Sequence, residues 1–137
     1  MVRGAVTEDV VPVSSSQKRK GTAFESSIRN YLNASGFGVE RTIAGASEDR
    51  GDLHGLRVHG DPVVVECKNH RRMELAQWVD EACVEAENAG APIGVVVHKK
   101  RGTTYAGDQY VTMRLCDFVW LIEGFKEETW TSTTTSR

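Results

Sequence analysis

Hydrophobic and polar positions change period several times along the chain, and each change predicts an element. Phe24, Ile28, Tyr31 and Leu32 recur at i, i+4, i+7 and i+8, which predicts a helix over about 22–35. Thr22-x-x-Glu25 fits a capping box at its start, and Gly36 fits its stop. Residues 38–43 predict a first strand. Next, His59-Gly60-Asp61-Pro62 is a turn signal between two β-prone runs, so Gly51 to Asn69 predicts a hairpin folded about Gly60-Asp61. Alternate strand residues share a face: Val64, Glu66 and Lys68 point one way, Val63, Val65 and Cys67 the other. Leu75, Val79, Ala82 and Ala86 form a helical stripe over about 73–89, with Trp78 and Cys83 beside it, and Gly90-Ala91-Pro92 ends it. Ile93 to His98 is β-branched and almost wholly apolar, as a buried strand is. Gln109 to Met113 alternates and predicts a further strand. Leu115, Phe118, Val119 and Ile122 suit a short helix. The order is αβββαβ followed by βα, an α/β fold with a mixed β-sheet flanked by helices.

The ends lack this patterning. Residues 1–17 carry no period and read as a flexible leader. Residues 126–137 finish in TSTTTSR and read as a disordered tail. Between them, 18–125 is expected to be one domain, a size that buries a sufficient core without staples.

Charge and cysteine content narrow the class. Cys67, Cys83 and Cys116 are an odd number without C-x-x-C spacing, which argues against a disulfide framework and a zinc ribbon and for a reducing compartment. No run suits a membrane span or a signal peptide, so no membrane partner is expected and the location is read as cytoplasmic, the host's cytoplasm if the protein is viral. A formal net charge of -2 is not that of a strongly basic nucleic-acid binder. Its distribution is segregated, however. Lys18-Arg19-Lys20, Arg71-Arg72 and Lys99-Lys100-Arg101 are basic, while acids gather over 80–87 and 123–128, which permits a basic face on a neutral protein.

The hairpin carries the candidate chemistry. It brings Asp52 close to Lys68, with Glu66 nearby, at one end of a very apolar strand. Two carboxylates a few ångströms apart repel unless a cation sits between them. Oxygen ligands alone suit Mg²⁺, with Mn²⁺ as a substitute, and such an ion binds phosphate oxygens. A lysine beside it can orient a water or stabilise charge on a transferring phosphoryl group. Together they suggest metal-dependent hydrolysis of a phosphodiester. Glu25 supplies a third carboxylate if the first helix crosses the hairpin's end.

Each of these residues also has a plain structural reading. Glu25 fits a capping box and can pair with Arg29 one turn on. Asp52 fits a turn after Gly51. Glu66 and Lys68 fit an exposed edge strand, although Val63-Val64-Val65 argues for a central one. Ser47 lies in AGASEDR, where serine is expected anyway. Gln77 either faces the site or lies on a solvated helix face. Lys99, Lys100 and Arg101 either reach a phosphate backbone or form a solvated loop. His54, His59, His70 and His98 have no zinc spacing and are not read as ligands, although His54 and His70 could lie near the site. Trp78, Trp120 and Trp130 are read as packing or tail residues.

The string K20-G21-T-A-F24-E25, then L32-x-x-x-G36-F37, R41, G45-A46-S47, G51-D52-L53 and V65-E66-C67-K68, resembles the PD-(D/E)XK nuclease superfamily and, within it, the archaeal-type Holliday junction resolvases. The likeness covers about residues 18–100. It implies a restriction-endonuclease-like αβββαβ core, a homodimer, and Mg²⁺-dependent nicking of branched DNA in recombination and repair. By position it makes Asp52 and Glu66 metal ligands, with the Cys67 backbone carbonyl, and Lys68 the catalytic lysine. Glu25 becomes the helix acid, reaching the metal directly or through water, and Ser47 the catalytic-loop serine. Lys20 and Arg41 become phosphate contacts, and Lys18, Arg19, Arg71, Arg72, Lys99 and Lys100 extend the DNA-binding surface. Gly51 stands where the superfamily's name has proline. The expected activity is that of an endodeoxyribonuclease on four-way junctions. The competing classes are a restriction-type, flap- or fork-specific nuclease and a non-catalytic DNA-binding module.

Overall fold

A computed structural model of the chain describes residues 15–42 and 51–123. These residues form an α/β fold in which a mixed sheet of six strands is flanked by three helices. The elements run α1 (Ser15–Ala34), β1 (Glu40–Arg41), β2 (Leu53–His54), β3 (Arg57–Val58), β4 (Asp61–Lys68), α2 (Leu75–Ala89), β5 (Ile93–His98), β6 (Tyr110–Thr112) and α3 (Leu115–Glu123), with a 3-10 turn at Ala106–Asp108 before β6. The sheet order is β1-β2-β4-β5-β6, and β3 continues the β2 side of the hairpin against β4. Among the described strands only β4 and β5 pair in parallel, as the α2 crossover between them allows.

The expected helix starts early. α1 begins at Ser15, seven residues before Thr22, because Gln17, Lys18, Arg19 and Lys20 are good helix formers that need no apolar period. Residues 15–17, assigned to the leader from sequence, are therefore helical; the rest of the leader and residues 124–137 lie outside the described residues. Thr22 and Glu25 sit inside the helix, so the capping-box reading fails. The Gly36 stop is as expected, with left-handed backbone after the last turn.

The hairpin forms, but its turn is His59-Gly60, one residue earlier than Gly60-Asp61. Both residues have positive φ, 57° and 85°, as tight two-residue hairpin turns require. Arg57 pairs with Pro62 but Leu53 with Val65, so the register slips by one at Gly55. β1 is shorter than the predicted 38–43; Asn33 holds Val39 just before it through both backbone groups, at 2.7 and 3.0 Å.

Two cores result. Val63, Val65 and Cys67 of β4 and Ile93, Val95 and Val97 of β5 pack with Leu53 against Phe24 and Ile28 of α1. On the other face, Trp78 and Ala82 of α2 pack on Val96. α2 approaches closely because residue 94 is glycine: a Cβ there would collide with the Ala82 carbonyl. α3 is helical as predicted, yet Leu115, Phe118, Val119 and Ile122 are exposed, and Trp120 and Leu121 make the contact with the core instead.

Candidate functional site

β4 is paired on both sides, with β2 and β3 on one and β5 on the other. Glu66 and Lys68 therefore lie on a central strand, which removes the edge-strand reading. Glu66 is only 8% exposed. A strand of this kind loses stability by carrying a charge there, since burial strips the carboxylate of water.

Asp52 reaches the same place from the chain entering β2. Its Oδ2 accepts a hydrogen bond from the Cys67 N–H at 2.8 Å, and its own N–H donates to the Val65 carbonyl at 3.0 Å. These contacts make it a fixed neighbour of the strand end, beyond what a turn residue needs. Gly51 explains the geometry. Its φ is +92°, which proline's ring forbids, and a Cβ there would meet Val64 Cγ1 at 2.5 Å. The chain thus enters Asp52 by a route open to glycine and closed to the proline of the superfamily's name.

Asp52, Glu66, Cys67 and Lys68 line one cleft of about 540 Å³, together with Glu25 and Lys20 from α1. Burial, then the negative charges of Glu66 and Glu25, push the Asp52 carboxyl up from 3.8 to about 7, against the opposing pull of the Cys67 N–H and of Lys68. The Lys68 ammonium lies 3.4 Å from Glu66 Oε2 and 3.1 Å from Glu81 Oε1 of α2. Burial lowers the Lys68 pKa, but the hydrogen bonds and charges of Glu81 and Glu66 outweigh it, and the net direction is upward. The other oxygen of Glu66, Oε1, is buried without a hydrogen-bond partner. Burial and the surrounding acids push the Cys67 thiol up, so it stays neutral and takes no part as a thiolate.

Of the remaining sequence-predicted residues, some join the cleft and some do not. Arg71 lines it. Glu25 lines it too, and its carboxylate pairs with Arg41 at 3.2 Å, which replaces the expected partner Arg29. Lys18 and Arg19 are exposed on α1 outside the cleft wall. Arg72 lies outside it as well, 4.0 Å from Glu74. Lys99 turns its ammonium to the Lys100 and Thr103 carbonyls and closes its own loop. Lys100 is exposed, its N–H bonded to Gln109. Gln77 is exposed and donates to Glu81 Oε2 at 3.1 Å. His54 faces Thr42 on the β1 side, 3.3 Å away. Ser47 lies outside the described residues.

His70 lines the cleft, near the site as its position allowed, whereas sequence reasoning passed over Gln17 and Asn69. Both line the cleft too, and Asn69 Oδ1 is buried without a partner. Asn69 follows Lys68 directly, so its position beyond the strand end was a usable signal. Arg101 binds the His70 carbonyl, which ties the loop after β5 to the cleft's lip. Glu81 touches Lys68, and Glu85 is buried beside Gly51; both belong to the acidic run over 80–87, to which no role at the site was given.

Chemically, the cleft offers hard oxygen donors, the ammonium groups of Lys68 and Lys20, and the Arg71 guanidinium. Among the described residues no group of three or more His, Cys, Asp or Glu side chains converges as a metal site. None of the helices among them is long and apolar enough to cross a membrane. No family model matches the chain, and no curated protein matches it.

Proposed function

We propose that this cleft hydrolyses phosphodiesters of branched DNA with the help of Mg²⁺, as a structure-specific endonuclease of the PD-(D/E)XK kind acting on four-way junctions. The observation that carries the reading is the convergence of Asp52, Glu66 and Lys68 on the floor of one cleft, with Glu66 Oε1 buried and unpartnered. A buried oxygen of that sort calls for a cation or a proton donor. The donor set fits Mg²⁺, with Mn²⁺ as a substitute. Asp52 and Glu66 would hold it with carboxylate oxygens, together with the Cys67 carbonyl on the strand between Glu66 and Lys68, and waters would complete the set. A set so small does not need three converging side chains. The α-β-β-β-α-β order through β5, counting β2 and β3 as one bent strand, supports a restriction-endonuclease-like core.

The ion, when bound, would lower the pKa of a coordinated water and polarise the scissile phosphate. The chain's own residues do the rest. Lys68 presents its ammonium to charge developing on the phosphoryl oxygens. Lys20 and Arg71, which line the cleft, hold phosphates of the backbone. Glu25 fixes Arg41 beside the cleft. A four-way junction needs two symmetric incisions, which a twofold homodimer supplies. The edge strand β6 and helix α3 leave Val111, Leu115, Phe118 and Ile122 exposed among the described residues, apolar side chains that a second copy could cover.

The test is cleavage of a labelled four-way junction, with linear duplex beside it, in Mg²⁺ and in EDTA, by the wild type and by Asp52→Ala. Paired nicks confined to the junction, lost in EDTA and in the variant, are expected. Equal cutting of linear duplex would replace the reading with a restriction-type nuclease. Binding without cutting would leave a DNA-binding module.

A further inference from the structure

Lys68 has two acidic neighbours, and they stand in different places. Glu66, two residues earlier on β4, lines the cleft; Glu81, on α2, does not. Glu81 Oε1 is nevertheless the nearer, 3.1 Å from the ammonium against 3.4 Å for Glu66 Oε2. Its second oxygen accepts the Gln77 side-chain amide at 3.1 Å, the i,i+4 neighbour on the same helix face. The carboxylate is thus oriented at both ends, and it grips Lys68 from outside the cleft.

We infer that Glu81 is the positioning residue of Lys68, an anchor on α2 that keeps the ammonium at the cleft floor when Glu66 takes a cation. This rests on the nuclease reading. A lysine on a flexible four-carbon stem, held by one acid, follows that acid. A cation on Glu66 Oε1 competes for the charge that Oε2 offers Lys68, so a lysine held by Glu66 alone would be held more loosely once the ion bound. A second acid outside the cleft removes that conflict. Stability is a poor explanation for the contact, because Glu81's side chain is 38% exposed and pairs at such sites add little to folding.

The experiment compares wild type, Glu81→Gln, Glu81→Asp, Lys68→Ala and Glu81→Gln/Lys68→Ala. Single-turnover cutting of a four-way junction in Mg²⁺ is measured alongside junction affinity in Ca²⁺. Glu81→Gln is expected to slow cutting by about 10–100-fold with affinity unchanged, as loss of an outer partner of a metal site does. Glu81→Asp should recover part of that loss. In the Lys68→Ala background Glu81→Gln should add nothing, the non-additivity of residues acting through one group. An independent readout is the Lys68 ζ-ammonium cross-peak in ¹H–¹⁵N spectra, expected in wild type and in Glu66→Gln and lost in Glu81→Gln. Unchanged cutting by Glu81→Gln, or an additive loss in the double variant, overturns the inference. If the wild type cuts no DNA, the nuclease reading fails by itself. The spectra then decide the anchor: a signal that depends on Glu66 and survives Glu81→Gln overturns it.

Discussion

The two faces of β4 are buried alike and built from opposite chemistry. Toward α1, Val63, Val65 and Cys67 meet Phe24 and Ile28, all buried hydrophobic residues. Toward α2, Val64 is followed by Glu66 and Lys68, and the helix replies with Glu81 and the buried Glu85 beside Trp78 and Ala82. On the first face every side chain of Val or Phe size contributes about 1.5–3 kcal/mol by leaving water. On the second, each charge gives up hydration that its partners restore only in part. One strand therefore divides two tasks. The α1 face holds the fold, and the α2 face spends stability to keep charged groups at a fixed place.

That division is sharpest where the effects are largest. Phe24→Ala on the α1 face should lower unfolding free energy by about 3–5 kcal/mol, read from urea titrations, with Val65→Ala costing about 2–3 kcal/mol. A loss below 1 kcal/mol for Phe24→Ala would mean that the α1 face does not carry the fold. Glu66→Gln on the α2 face should do the reverse. It removes a buried carboxylate whose Oε1 has no partner, so the urea midpoint should hold or rise. Junction cutting should fall by about 10²–10³-fold, the usual effect of removing a group that stabilises transition-state charge. A Glu66→Gln protein that both unfolds easily and cuts normally would erase the contrast between the faces.

The sequence made the α1 face legible and the α2 face only half so. The apolar run Val63-Val64-Val65 identifies a core strand, and the Gly36 and Gly90 stops bound their helices as expected. Asp52, Glu66 and Lys68 were readable as a group because a hairpin makes distant residues neighbours whatever the loop detail. Glu81 and Glu85 were hidden because acids on an amphipathic helix normally face water, and nothing local says that a strand lysine will meet one of them. The start of α1 was hidden for the opposite reason. Lys18-Arg19-Lys20 read as a basic patch ahead of the helix, while its helix propensity acts without any hydrophobic signal. α3 shows a third limit: its period fixes a helix but cannot say whether Phe118 or Trp120 turns inward.

Gly51 shapes the α2 face, since it steers the chain into Asp52 and leaves no room for a Cβ beside Val64. Gly51→Ala should cost about 2–3 kcal/mol, the left-handed backbone supplying about 1–2 and the Val64 contact the remainder. Gly51→Pro should be worse, because proline cannot adopt positive φ at all. Val64→Ala makes room for the new methyl, so the Gly51→Ala/Val64→Ala protein should lose less than the two single losses summed, measured by a double-mutant cycle in urea. Strict additivity would show that the contact with Val64 is not what restricts the position.

The smallest effect tests whether the charged face really works against folding. The Asp52 carboxyl sits at about 7 in the folded protein against 3.8 for the group without its surroundings, through burial first and then the charge of Glu66. Between those two values the folded chain keeps a proton that the unfolded chain has released. Unfolding free energy therefore falls as pH rises across that window and levels above about pH 7. Other groups titrate too, so the difference between wild type and Asp52→Asn isolates this one, the asparagine oxygen still accepting from the Cys67 N–H. That difference should shift in favour of Asp52→Asn as pH goes from 4 to 7. Mg²⁺ should reverse it, raising the wild-type Tm more at pH 8 than at pH 5 and leaving Asp52→Asn nearly unmoved, because an ion that binds only the folded, ionised site stabilises it by mass action. A pH-independent difference would place Asp52 in water, away from the acids, and the second face would then differ from the first only in composition.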